Sequence, residues 1–331
     1  MWVEGEAGFQ YTPSPSQPDS LLTTHSHPYV HGLYIMKIID NIQRMSTLIK
    51  MLKKEGRSIG FVPTMGYLHE GHLSLVKAAK KHTDVVVMSI FVNPKQFGHG
   101  EDFDKYPRDL KRDEELSRNA GVDIIFFPSV KDMYPEGFRT YVTVEKLTDT
   151  LCGESRPGHF RGVATVVAKL FNIVKPDIAY FGQKDAQQAI VIKKMVKDLN
   201  MGIEIKVMPT IREKDGLAMS SRNAYLSEVE RNDAAILYQS LKAAESLIAG
   251  GEKIPKNVIR AMERLIKEKP SAKIEYISIV DAEDLQDASL ISGEVLVALA
   301  VFIGKTRLID NVVINPALGR TKTDETRKGA V

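Results

Sequence analysis

The chain has 331 residues, 43% of them hydrophobic and 26% charged, the make-up of a globular protein with room for one large domain or two ordinary ones. A formal net charge of +3 is too small to argue for nucleic acid, and no apolar run approaches the ~20 residues of a membrane span. The single cysteine, Cys152, excludes an internal disulfide and a multi-thiolate metal centre, so a reducing cytoplasm is the expected compartment.

Residues 1–35 differ from the rest of the chain. They contain Glu4, Glu6 and Asp19 but no Lys or Arg, so the remainder holds 45 basic against 39 acidic residues (42 less those three). That balance weakly favours a local site for anions. The stretch is rich in Pro, Ser, Thr and His and lacks apolar periodicity. It has neither the basic and apolar layout of a signal peptide nor the arginines of a mitochondrial presequence. A disordered arm, or a start mis-assigned upstream of Met36, is expected.

From Met36 strand-like and helix-like segments alternate. The pattern predicts a helix over 42–55, a strand over 58–62, a helix opening near 70 and running to 81, and a buried β-run over 84–92. Helices follow over 110–120, 161–174 and 186–199, with strands over 123–127, 177–181 and 203–208. Continuous β-branched runs between helices predict an α/β unit over 36–211, a Rossmann-like parallel sheet with helices on both faces. After "REKDGLAMSSRN" the pattern changes. Helices over 227–249 and 255–268 precede strands over 273–280 and 295–302, which suggests a smaller C-terminal α+β domain over 212–314, acting as a lid. The charged, unpatterned residues 315–331 are expected to form a loose tail.

Five polar clusters fall at predicted strand ends or at the junction. In "FVPTMGYLHEGHLSLV" a strand runs into a turn and then a helix, with His72, Val76 and Ala79 on one stripe. Unpaired N–H groups and the positive end of a helix favour anions at such a point, and two imidazoles can donate to phosphate oxygens. "HEGH" is not H-E-x-x-H, whose spacing aims both rings at one zinc, and no third ligand follows. Simple helix capping by His69 and His72 is the plain alternative. "FGQKDAQQ" repeats the geometry: Lys184 points at the same kind of helix start, Asp185 can cap it, and Gln188 shares a face with Ile192 and Leu199. "GLAMSSRN" sets hydroxyls beside Arg222, while Ser227 suits the cap of the next helix. "FVNPKQFG" carries Asn93 and Gln96, and "SRPGHFRGV" carries Arg156, His159 and Arg161.

The H-x-G-H segment together with an M-S-[ST]-[KR] type loop resembles the class I aminoacyl-tRNA synthetase and nucleotidyltransferase superfamily. Within it the chain is similar to the pantoate–β-alanine ligase (pantothenate synthetase) family, from about Met36 to Val313. The similarity rests on "FVPTMGYLHEGH", "SIFVNPKQFG", "YPRD", "SRPGHFRGV", "KLFNIVKPDIAYFGQKDAQQ", "DGLAMSSRN" and "RLIDN". The resemblance implies attack of the pantoate carboxylate on the α-phosphorus of ATP, then capture of the adenylate by β-alanine. It implies ATP contacts from Met65, Gly66, Tyr67, Leu68, His69, Glu70, Gly71 and His72, from Gly182, Gln183, Lys184 and Asp185, and from Ile211, Met219, Ser220, Ser221 and Arg222. His72 is the implied proton donor, with His69 and Lys184 at the phosphates. Gln96 and Gln188 would hold pantoate, Gln96 also lying near β-alanine. Asn93, Tyr106, Arg156 and His159 are further candidates.

Mg²⁺ is expected with ATP, held mainly by phosphates and with no protein ligand assigned; Asp113 is a possible partner. A homodimer is implied, without nucleic-acid or membrane partners. Many relatives carry Glu at the place of Gln183 and an aromatic at that of Ala186, and neither change removes a needed group. A cytidylyltransferase would leave Gln96 and Gln188 unexplained, a tRNA synthetase would need an anticodon-binding region, and a non-catalytic module would bind ATP without turnover.

Overall fold

The computed structural model describes residues 36–317 and 320–321, so the expected N-terminal arm lies outside the described residues. Its first part is β1 (Lys37–Ile39), α1 (Ile42–Lys54), β2 (Ile59–Thr64), α2 (Glu70–Lys80), β3 (Val85–Ile90), α3 (Leu110–Ala120) and β4 (Ile124–Phe126). Two single-turn helices follow, α4 (Val130–Met133) and α5 (Cys152–Ser155), then α6 (His159–Val174), β5 (Ile178–Gly182), α7 (Ala186–Asp198) and β6 (Glu204–Met208). The second part holds α8 (Glu228–Ala234), α9 (Ile236–Ala249), α10 (Pro255–Ile266), β7 (Ala272–Asp281), β8 (Val295–Ile303), β9 (Thr306–Asn315) and β10 (Arg320–Thr321).

The first six strands form one sheet in the order β1-β4-β3-β2-β5-β6, every pairing parallel. The chain leaves β2 towards β3 on one side and later returns to β5 on the other. A crevice therefore opens beyond the carboxyl ends of β2 and β5, where ligands sit in such sheets. Both faces are covered, as the unbroken apolar strands require. Val62, Met88 and Ile125 pack under α2, while Phe61, Val87 and Phe126 pack against α1 and α6. α6 buries twelve of its sixteen residues, including Val163, Val167 and Phe171.

The second sheet is antiparallel, in the order β10-β9-β8-β7. One of its faces meets α9 and α10 through Leu237, Leu241, Val258 and Met262. Leu296 and Ala298 on the other face are buried in the same cluster as α6 and α7. The two sheets thus share a core. No helix among the described residues is long and apolar enough to cross a membrane.

Most predicted segments agree with the observed ones to within a few residues. The expected helix over 227–249 is interrupted at Ala235 into α8 and α9, and Ser227 caps α8 in a reciprocal box with Glu230. Neither β1 nor β9 is anticipated by the pattern: β1 is three residues long, and Arg307, Asp310 and Asn311 break the apolar run of β9. Of the expected tail, Asn315 still ends β9 and Arg320–Thr321 pair with it, and most of the rest lies outside the described residues.

Candidate active site

A cavity of about 850 Å³ lies at the carboxyl ends of these strands, walled also by β8 and β9 of the second sheet. Its first wall is the loop after β2. The Tyr67 and Leu68 N–H groups both donate to the buried Asp113 carboxylate, each at 2.7 Å. That grip holds Tyr67 at φ +51°, a left-handed conformation a tyrosine rarely adopts. Leu68 is buried as the anchor, and His69 follows as the N-cap of α2.

The histidine pair caps and faces the cavity at once. His69 Nδ1 accepts from Gly71 N–H at 3.1 Å, and His72 Nδ1 accepts from His69 N–H at 3.3 Å. A ring nitrogen that accepts a backbone N–H carries no proton, so in each ring the proton is on Nε2. The rings lie 4.0 Å apart between centroids. Burial, then the positive charge of Lys184, lowers the His69 pKa to about 4. Burial, then His69 and Lys184, holds His72 well below its ordinary range. Both are neutral Nε2–H donors near pH 7. Gly71 is required by this arrangement, because a Cβ there would lie 2.8 Å from His69 Cε1.

The second wall is the turn after β5. Gly182, Lys184 and Asp185 border the cavity, and the closest carboxylate oxygen to Lys184 Nζ is Asp185 Oδ1 at 3.9 Å. Asp185 occupies the N-cap position of α7 but makes no side-chain cap bond, contrary to expectation. Gln183 turns away and donates to Asn311 Oδ1 at 3.0 Å. Gln188 borders the cavity, although the expected stripe fails at Leu199, which caps α7 and is exposed. The buried glutamine is Gln187, which donates to Leu147 O and Thr150 O and accepts from Cys152 N–H.

The third wall follows β3. Asn93 Nδ2 donates to Gln96 Oε1 and to Gly162 O, both at 3.1 Å, and Asn93 Oδ1 accepts from Tyr134 Oη at 2.8 Å. Asn93 therefore faces inward, off the cavity wall, and orients Gln96. With Oε1 committed and one amide hydrogen donated to Met65 Sδ at 3.2 Å, Gln96 has one amide hydrogen left to present. Gly162 admits this close packing of α6, since a Cβ there would lie 2.1 Å from Lys95 O.

Two basic segments complete the rim. Ile211, Met219, Ser220, Ser221 and Arg222 all border the cavity. Ser220 caps the turn at Arg222 N–H, and Ser221 Oγ donates to Tyr67 O at 3.2 Å, joining this segment to the first loop. Arg222 donates twice to Asp102, at 2.9 Å each, and lies 5.5 Å from the Tyr106 ring centroid. Arg156 pairs with Glu101 at 2.6 Å and donates to His159 Nε2 at 3.1 Å, leaving His159 Nδ1–H to donate to Gln96 O at 2.8 Å. Burial, then Arg156, lowers the His159 pKa to about 4.

Of the residues expected to contact ATP, Gly66, Tyr67, Leu68, Glu70 and Gln183 are off the wall; Met65, His69, Gly71, His72, Gly182, Lys184 and Asp185 are on it. Gln96, Gln188, Tyr106, Arg156 and His159 also border it. Asp113 is occupied by two backbone donors and burial raises its pKa, so it anchors a loop and is no candidate for Mg²⁺. No group of three or more His, Cys, Asp or Glu among the described residues could cage a metal. Sequence reasoning gave no role to Arg212, Asp310 and Asn311; the signal was the adjacent polar pair in "RLIDN", between apolar residues of β9.

Comparison with known proteins covers the same span. A family model described as "Pantoate-beta-alanine ligase" matches residues 37–313. Proteins named pantothenate synthetase from Caldicellulosiruptor bescii and Acetivibrio thermocellus are each 59% identical over 279 residues, 84% of this chain and 99% of theirs. The crystal structure of pantothenate synthetase from Thermus thermophilus superposes with a TM-score of 0.80 at 45% identity, covering 85% of this chain and 99% of that one. A pantoate–β-alanine ligase from Francisella tularensis, complexed with "Beta-gamma ATP and Beta-alanine", gives 0.71 at 38% identity, covering 86% and 98%.

Proposed function

The chain belongs to the pantoate–β-alanine ligase family, and on that premise we propose that it makes pantothenate from pantoate, β-alanine and ATP in the cavity described above. In the first step a pantoate carboxylate oxygen bonds to the α-phosphorus and the α–β P–O bond breaks, releasing pyrophosphate. In the second, the neutral amine of β-alanine bonds to the acyl carbon, AMP leaves with the former carboxylate oxygen, and the amine loses a proton.

Catalysis at phosphorus is chiefly alignment and stabilisation of charge on phosphate oxygens. The observation that carries the reading is the convergence of His69, His72, Lys184 and Gln96 on one cavity at the sheet's crevice. The two Nε2–H groups and the Lys184 ammonium meet phosphate oxygens, and Arg222 borders the same cavity. The proton-donor role implied for His72 is then hydrogen-bond donation from a neutral ring, because its Nδ1 already accepts a backbone N–H. Gln96, its carbonyl committed to Asn93 and one hydrogen to Met65 Sδ, offers its remaining N–H to a carboxylate or hydroxyl, and Gln188 borders the same space.

Mg²⁺ accompanies ATP in this reading as an ion on the phosphates, where it screens their charge. The nearby carboxylates Glu101 and Asp102 are paired with arginines, so no side chain is assigned to it and no step passes through it. We further read residues 36–211 as the nucleotide-binding unit and 212–314 as a lid, the enzyme as a cytoplasmic homodimer, and the N-terminal arm as dispensable. Sedimentation at micromolar concentration tests the dimer.

The deciding measurement is exchange of labelled pyrophosphate into ATP, with and without pantoate. Exchange that depends on pantoate and needs no β-alanine is the expected result. Its absence in pure, folded protein overturns the adenylation reading.

A further inference from the structure

The turn that carries Lys184 does not hold itself. Neither Gly182, which precedes the 3₁₀ turn Gln183–Asp185, nor Asp185, which precedes α7, makes a side-chain cap bond. The missing support comes from β9 of the other sheet. Asn311 Nδ2 donates to Gln183 O at 3.0 Å and to Lys184 O at 2.8 Å, while its Oδ1 accepts from Gln183 Nε2 at 3.0 Å. Both amide hydrogens are thereby used. Asn311 is only 6% exposed, so water competes little for these bonds.

Its neighbour braces it. Asp310 accepts the Asn311 N–H at 2.8 Å and is gripped by Arg212 at 2.6 and 3.0 Å. The Arg212 guanidinium in turn lies 4.4 Å from the Tyr238 ring centroid on α9. Successive strand residues face opposite ways, so β9 holds the brace on one face and the lysine turn on the other.

We propose that Asn311 is a positioning residue for adenylation: it fixes the backbone of Gln183 and Lys184 so that the ammonium is held facing the His69–His72 pair. The inference rests on Lys184 being a phosphate ligand, as read above. A lysine stem is flexible, so its backbone end is the part that can be pinned without occupying the ammonium itself. Displacing that end moves the charge away from the reacting phosphate, and misplacement of about 1 Å is enough to slow a reaction by about 10²-fold.

The test compares wild type, Asn311→Ala, Lys184→Ala and the double variant in pantoate-dependent pyrophosphate exchange. Asn311→Ala is expected to slow exchange by about 10²-fold while leaving the pantoate KM unchanged, because Gln96 and Gln188 are untouched. If Asn311 acts through Lys184, the double variant is no slower than Lys184→Ala alone. Losses that multiply, or a wild-type rate in Asn311→Ala, overturn the inference. Normal exchange in Lys184→Ala instead overturns the phosphate role of the lysine, a separate failure. Should Asn311→Ala not fold, Asn311→Ser keeps one donor and is expected to show a partial loss, absent in the Lys184→Ala background. Histidine NMR adds a readout that lost stability alone does not move. With the lysine displaced, the His69 titration rises part of the way from about 4, burial still holding it below the ordinary value, in Asn311→Ala as in Lys184→Ala. An unmoved titration counts against the inference.

Discussion

The loops after β2 and β5 have the same plan, strand to turn to helix, but different supports. The loop after β2 is held mainly within the first sheet and its helices: Asp113 of α3 takes two of its N–H groups and its histidines cap each other's backbone, with one further bond from Ser221 Oγ to Tyr67 O. The turn after β5 has no side-chain cap of its own and is held by Asn311 of β9, more than a hundred residues later in the chain. One wall of the cavity is therefore braced mostly by its own sheet and the other by a strand of the second sheet. Alignment of His72 with Lys184 depends on how that strand packs, so the second sheet contributes more than cover.

The largest effect that sharpens this contrast lies in the local wall. His72→Ala is expected to slow pantoate-dependent exchange by about 10²–10³-fold, the scale of losing one preorganised donor to a developing charge. Loss of its cap bond lowers stability by only about 1 kcal/mol. Exchange kinetics set beside thermal melting separate the two, and a melting loss without a rate loss would reduce His72 to a capping residue.

Next comes the anchor. Asp113→Ala leaves two buried N–H groups unpaired and releases the left-handed Tyr67, so stability falls by about 3 kcal/mol and exchange slows by about 10-fold or more. The lesion differs from Asn311→Ala in kind: it acts on the histidines and not on Lys184, so the two losses are expected to multiply. Chemical denaturation and exchange in the double variant check this, and a non-additive result would mean that the walls are not independently held.

The smallest effect concerns pH. His69 and His159 are held to about 4 in the folded chain against an ordinary 6.5, and His72 is also depressed. The unfolded chain then binds protons that the folded chain refuses. Their contribution is complete above about pH 6.5 and is lost progressively as pH falls towards 4. The melting temperature is expected to fall between about pH 7.5 and about pH 5, before most carboxylates titrate. A flat profile would show that the rings are not kept neutral by the fold.

Legibility in the sequence follows the same division. The parallel sheet was readable because fully buried strands such as β3 are unbroken β-branched runs, and α3 because Asp109 and Gly121 punctuate its ends. The position of His69, His72, Lys184 and Gln96 on the cavity was readable because each belongs to a segment that follows an apolar strand. The resemblance groups Gln183 with Lys184, and only the folded arrangement reveals that its side chain turns to Asn311. Gln187 and Gln188 could not be told apart by spacing along α7, since the side chain that anchors α5 is chosen by a contact 35 residues away. The anchoring role of Asp113 was hidden for the same reason, in an acidic run where several carboxylates look alike.

The Arg222–Asp102 pair bears on how the cavity responds to salt. Arg222 does not wait as a bare cation; two of its nitrogens, Nε and Nη2, already hold a carboxylate. A phosphate that takes this arginine exchanges one counter-charge for another, so fewer small ions are gained or lost than when an unpaired cation is neutralised. Screening by salt weakens both sides of such an exchange together. At this position, then, nucleotide affinity should change only gently with ionic strength, visible as a shallow slope of log Kd against log salt. In this reading the paired carboxylate buffers nucleotide binding against changes of ionic strength, in the same sense that a weak acid buffers pH.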